Sequence, residues 1–344
     1  KSKFPNMPDD QVPVLLPVLY GEVSATSGED LEDPDVSGAL PAYLVDTNGN
    51  TSTTWLTRVP AENNQWTSVA WSPTLLLFAA VSYNGTNRVM TSPDGVTWAS
   101  RSAPVTASWT SIAWSPALGM FCAVSATAPV GQAVMYSTDG ITWLSATAGV
   151  ADWRSVCWSP ELALFVAVGN TANVLYSSNG TTWSTVAAAA TLEWNSVCWS
   201  AELGLFVAVS MTGTGNRVMT SLDGSGTWTS RTSAADNTWL EVVWSAKLGI
   251  FVAVGESGTS NRSMISADGI TWILVATPAD NSWQALCWSP EAELLVALAY
   301  TGTGNRVMVS QDGVTWDLQT SSADVSWQSI CWSKELNLFV GVAS

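Results

Sequence analysis

Three features of the chain predict an all-β protein arranged as a seven-bladed β-propeller of four-stranded blades. A similar unit restarts at Trp66, Trp109, Trp153, Trp194, Trp239, Trp283 and Trp327, at spacings of 43, 44, 41, 45, 44 and 44 residues. Each unit holds four short runs rich in Val, Trp, Phe and Thr, separated by Ser-Pro, Gly-Thr and Asp-Gly. The two ends of the chain are complementary fractions of one unit. Four antiparallel strands at a period near 44 form a unit that cannot bury both faces alone, so neighbours must stack.

The first unit reads WTSVAWSPTLLLFAAVSYNGTNRVMTSPDGVTWASRSA, and its predicted strands are 66–71, 77–82, 88–92 and 97–101. Asp94-Gly95 between the last two is a tight-hairpin signal, because such turns require positive φ. The octapeptide TGTGNRVM occurs at 212–219 and again at 301–308, two units on. The final unit stops at Ser344 after its first two strands, while residues 42–60, AYLVDTNGNTSTTWLTRVP, match the last two. N-terminal strands are therefore expected to pair with C-terminal ones and close the ring, leaving no open edge. This makes residues 41–344 the propeller and residues 1–40 an extended acidic N-terminal arm.

All 21 Trp then fall into three sets of seven. One is the set of unit starts, and the outermost is Trp55, Trp98, Trp143, Trp183, Trp228, Trp272 and Trp316. The third is Trp71, Trp114, Trp158, Trp199, Trp244, Trp288 and Trp332. Such strict periodicity reads as packing between blades rather than sugar-stacking platforms. Cys157, Cys198, Cys287 and Cys331 share one repeat position, where Ala70 and Ala113 also occur. They and Cys122 are expected as reduced, small buried hydrophobes, because equivalent points on different blades lie beyond roughly 7 Å, the Cα limit for a disulfide.

The formal net charge is −16, from 12 Lys plus Arg against 28 Asp plus Glu, and there is no His. That balance argues against nucleic acid and anionic lipid as partners, and no stretch is apolar for the length of a membrane helix. The missing His removes the commonest general base and metal ligand. No cofactor is expected. The run EDLEDPD at 29–35 could offer oxygen ligands to calcium, but it lacks ordered ligand spacing and reads as a solvated acidic segment. Nothing resembles a signal peptide, and the free thiols suit assembly in a reducing compartment better than secretion.

The hairpins SPDGVTW (92–98), STDGITW (137–143), SADGITW (266–272) and SQDGVTW (310–316) resemble the Asp-box of sialidase-like propellers, with one residue fewer between Asp and Gly. SLDGSGTW departs by insertion, and SSNGTTW has Asn179 in place of Asp. The Asp-box marks a fold and not an activity; its Ser and Asp fix the turn. The tryptophan–aspartate repeat family, with its Gly-His pair, is a poorer match. The phrasing of the whole unit, and LPVLYGEV at 16–23, resemble propeller repeats and tail proteins of bacteriophage particles.

That resemblance implies a non-enzymatic virion or tail-associated protein, structural or host-surface-binding, assembled in the host cytoplasm. Residues 1–40 would dock to other virion proteins, and a homo-oligomer is compatible with this. The alternative is a secreted multivalent lectin, extracellular; a third reading is an Asp-box glycoside hydrolase. A sialidase-like site needs converging residues unique to single blades, whereas most arginines here recur in register. The candidate binding residues are Asn87, Arg88, Asn216, Arg217, Asn261, Arg262, Asn305 and Arg306, with Tyr83 and Tyr300. They predict a ring of shallow sites suited to sugar hydroxyls or carboxylates of a cell-surface glycan. The alternative for these arginines is an exposed pair with an Asp of a neighbouring blade. No catalytic or metal-binding residue is assigned.

Overall fold

The structure, a computed structural model, describes residues 55–149 and 152–344. Six sheets each contain four antiparallel strands in sequence order. In the first blade these are Trp66–Ser72, Leu77–Ser82, Val89–Ser92 and Ala99–Arg101. The other five blades span residues 108–146, 153–187, 194–231, 239–275 and 283–319. The chain ends in a two-stranded sheet, Trp327–Ser333 paired with Leu338–Ala343. Each innermost strand packs against the next, and the last, Trp327–Ser333, returns to Trp66–Ser72, so the first strands surround an axis.

The expectation of seven four-stranded blades is thereby corrected: among the described residues there are six, and the last sheet has two strands. Residues 55–65 contain no strand. Trp55 is buried against Val307, Trp327 and Phe339, but the backbone after it forms no ladder. An outer strand needs a third strand to pair with, and none is present among the described residues. Residues 42–54, expected to supply it, and residues 1–40, expected as an arm, lie outside the described residues.

The tryptophans are the core. The seven unit-starting indoles are 0–2% exposed and the seven outer ones 4–9%. Each sits in a cluster that crosses a blade boundary: Trp66, Phe78, Met90 and Trp98 pack with Leu338, Val340 and Val342 of the two-stranded sheet. Burying one indole removes roughly 200 Å² from water, about 5 kcal/mol before ordering costs. Six of the third set stack on the Phe of the second strand, as in Trp71–Phe78 with centroids 4.4 Å apart, and Trp288 faces Leu295 instead.

The hairpins between third and fourth strands are held by side chains. The Ser92 hydroxyl accepts the Gly95 N–H at 2.8 Å, and Asp94 Oδ1 accepts the N–H groups of Val96 and Thr97, both at 2.8 Å. Trp98 Nε1 then donates to the Gly95 carbonyl at 3.2 Å. This turn occupies residues through Trp98, which is why the outer strand begins at Ala99 and not at Thr97. Gly95 has φ +73°, and a Cβ there would come within 3.0 Å of Leu338, so both backbone and packing require glycine. Among the described residues, no helix is long and apolar enough to cross a membrane.

Candidate functional site

The inner strands surround the axis, and their side chains supply most of its lining. Each carries a register shift just after its first Trp, for example between Trp66 and Ser68. The extra residue puts two consecutive side chains, rather than alternate ones, on the axial wall. The result is a cavity of about 360 Å³, lined among others by Thr67, Ser68, Thr110, Ser111, Arg154, Ser155, Asn195, Glu241, Gln284, Gln328 and Ser329. Its mouth carries Gln65, Tyr83, Tyr300 and Ser344, residues at the ends of first and second strands.

Most of this wall is stitching between blades. The hydroxyls of Ser68, Ser111, Ser155, Ser196 and Ser329 accept the N–H of Ile112, Val156, Val197, Val242 and Val69, each in the next inner strand, at 3.1–3.4 Å. One position earlier, Thr67 and Thr110 donate to the carbonyls of Trp109 and Trp153 at 2.8 Å. Asn195 Nδ2 donates to Leu240 O at 2.6 Å.

The stitching serine is replaced in two units, by Glu241 and Ala285, and the residue before it is Arg154, Leu240, Gln284 or Gln328 in four; two of these replacements are charged. Glu241 replaces the stitching serine in its blade, and its Oε1 accepts the hydroxyl of Ser196. Burial pushes its carboxyl up to about 7, against the lowering effect of the Ser196 hydroxyl and the Val242 N–H. Arg154 replaces the stitching Thr or Asn. Its Nε is buried without a hydrogen-bond partner, and its nearest carboxylate oxygen, on Asp152, is 3.9 Å away.

The predicted binding residues are distributed differently. Only Tyr83 and Tyr300, 41% and 44% exposed, reach the axial cavity. The four loop arginines bond carbonyls of their own loops, and Arg88 and Arg306 also donate to Ala107 O and Val325 O in the loop that leads to the next blade. Arg88 donates to Tyr83 O and Gly85 O, both at 3.0 Å. Arg217, Arg262 and Arg306 donate through Nε to Gly213, Gly258 and Gly302 carbonyls, each at 2.9 Å. The same three pair with Asp236, Asp280 and Asp324 at 3.6–3.8 Å, each in the loop that follows the arginine's own blade rather than on a neighbouring blade. Asn87 donates to Glu62 at 2.6 Å. The side-chain oxygens of Asn216 and Asn305 accept the N–H of Thr214 and Thr303 at 3.0 and 3.1 Å. Asn261 accepts from Asn237, mainly through its carbonyl at 2.9 Å.

Sequence reading passed over Arg154, Asn195, Glu241, Gln284 and Gln328. The signal was available: the residue after each unit-starting Trp is Thr67, Thr110, Arg154, Asn195, Leu240, Gln284 and Gln328, a variable position in the repeat, and Glu241 stands one position later, where five units carry Ser and one Ala. All five cysteines are free, as expected. Burial pushes every thiol upward, Cys287 to about 12. Among the described residues, no group of three or more acidic or Cys side chains could hold a metal ion.

These features define a β-propeller with an axial polar cavity. No family model and no curated protein matches the chain. Among solved structures it is similar to a streptogramin B lyase, with TM-score 0.67, 8% identity, and 81% of this chain and 93% of that one covered. It is also similar to YCF48 from Cyanidioschyzon merolae, with TM-score 0.59, 14% identity, and 81% and 95% covered. A third is Kuenenia stuttgartiensis hydrazine synthase, with TM-score 0.58, 12% identity, and 80% and 95% covered. These likenesses show the propeller fold and no more, since proteins of differing function share it.

Proposed function

We propose that this protein is a non-enzymatic recognition module that receives a sugar unit of a larger glycan in its axial cavity. One observation carries the reading. In a chain of similar repeats, the residue after the unit-starting Trp differs between blades, and at six of the seven units that side chain lines this one cavity. Repetition serves the ring, whereas variation at a single site serves an asymmetric ligand. The lining is mostly hydroxyls and side-chain amides, with two tyrosines at the mouth, a set suited to sugar hydroxyls and ring faces. A binding role rather than hydrolysis is supported by the lining's acids: Glu241 is the one carboxyl there, and glycoside hydrolysis ordinarily uses a pair.

The likeness of the repeat to virion propellers supports a place in a bacteriophage particle, with residues 1–40 docking the propeller and its axial mouth facing outward. Titration of the purified protein with a glycan array tests the first part. Binding that Asn195→Ala and Gln284→Ala together reduce at least tenfold is expected. A panel without any ligand, or binding indifferent to those changes, refutes it. Deletion of residues 1–40 tests the second: the truncated protein should keep its thermal midpoint and fail to join the particle. A large loss of thermal stability refutes docking by that segment.

A further inference from the structure

The arginines of this chain divide into two kinds. Arg58, Arg88, Arg101, Arg217, Arg231, Arg262 and Arg306 all donate hydrogen bonds to protein oxygens. Among the described residues, Arg154 is the one arginine that donates none. It stands where Thr67 and Thr110 bond the carbonyl of the next blade, at 2.8 Å, so its presence gives up a stitch in the ring. Its side chain is 34% exposed and faces the axial cavity, where it is the one basic group.

A guanidinium is a planar fork of donors that matches the two oxygens of a carboxylate. Left without acceptors in a polar cavity, it is a vacant half of such a pair. Asp152 fills the role only weakly: at 3.9 Å from Nε it is within ion-pair distance but beyond hydrogen-bond reach, and at 40% exposure the pair is screened by solvent. The one acid in the lining, Glu241, is already bonded to Ser196, and burial favours its neutral form. It therefore competes weakly for the guanidinium and repels an incoming anion weakly.

We propose that the axial cavity selects an acidic sugar, a uronate-type unit whose carboxylate is held by Arg154 while the amides and hydroxyls of Asn195, Gln284 and Gln328 take its hydroxyls. This rests on the sugar-binding reading above and adds the charge of the ligand. The cavity, at about 360 Å³, holds one such ring and not a long chain.

The test is titration of the full chain with glucuronate, glucose and glucose 6-sulfate, followed by NMR and calorimetry. Glucuronate is expected to bind at least tenfold more tightly than glucose. Arg154→Gln should remove that preference and leave glucose within twofold, with an unchanged thermal midpoint. Arg154→Lys should retain part of it, because charge remains while the fork is lost. Equal binding of glucuronate and glucose, or a preference that survives Arg154→Gln, overturns the inference and leaves the sugar-binding reading intact. Tighter binding of the sulfate than of glucuronate overturns the carboxylate assignment. Failure of every sugar to bind overturns both.

Discussion

The third tryptophan set supplies a prediction whose size follows from a defect in the repeat. At the face opposite the axial mouth, Trp71, Trp199, Trp244 and Trp332 donate their indole N–H groups to Glu335, Glu161, Glu202 and Glu291 of the preceding unit, at 2.6–2.8 Å. Trp114, Trp158 and Trp288 have buried indole N–H groups without a partner. The reason lies in the sequence: at the position of those glutamates, the preceding units carry Thr74, Ala117 and Lys247. Lys247 is instead paired with Glu293. A buried donor left unpaired costs roughly 1–3 kcal/mol, and ordering a Glu side chain takes back about 1 kcal/mol or more. Ala117→Glu, which supplies Trp158 with its acceptor, should therefore stabilise the protein by about 1 kcal/mol. With unfolding entropy of roughly 2 cal/mol/K per residue, that is a rise of only about 1–2 °C in midpoint, so urea denaturation is the better assay. A double-mutant cycle with Trp158→Phe, which removes the N–H and keeps most of the ring, isolates the bond. Coupling near zero, or a gain from Ala117→Glu that persists with Phe at 158, would refute the reasoning.

Three further outcomes are expected. Glu241 has a raised folded value near 7, so its stabilising contribution is complete below its ordinary value of 4.5 and is lost as pH rises through about 7. Urea stability should fall across that window with a slope of at most about 1.4 kcal/mol per pH unit, and Glu241→Gln should remove the slope. Asp268 shows the opposite sign: the Thr271 N–H above all, opposed by desolvation and joined by the Ile270 N–H, holds its carboxyl below the ordinary 3.8. Its contribution is present above that value and lost as pH falls below it, so Asp268→Ala should cost about 1 kcal/mol at pH 7 and nothing once the wild-type carboxyl is protonated. The thiols should resist iodoacetamide in the native state at pH 8, and five should titrate after denaturation without reductant; rapid native labelling, or a count of three, contradicts their buried, reduced state.

Much of the ring was determined by the sequence alone. The Trp spacing, the strand runs and the Ser/Asp-Gly turns are local or strictly periodic signals, and each blade's hydrogen-bonded register depends on little else. Orphan indoles, too, are readable once it is known which unit faces which. The sequence led astray where a statement depended on partners distant in the chain. Among the described residues the last sheet is two-stranded, and Trp55 reaches its core with no strand beside it to extend the ladder. The loop arginines look like a binding ring in sequence, yet carbonyls of their own loops, and for Arg88 and Arg306 of the next loop, take up their donors. Conversely, Arg154 and Glu241 are two blades apart in the chain, and nothing between them announces a shared site. Only ring closure and the register shift after each Trp turn consecutive residues of separate strands onto one axial wall. A repeat specifies its own unit through local contacts, whereas a site on the symmetry axis exists only once all the units have met.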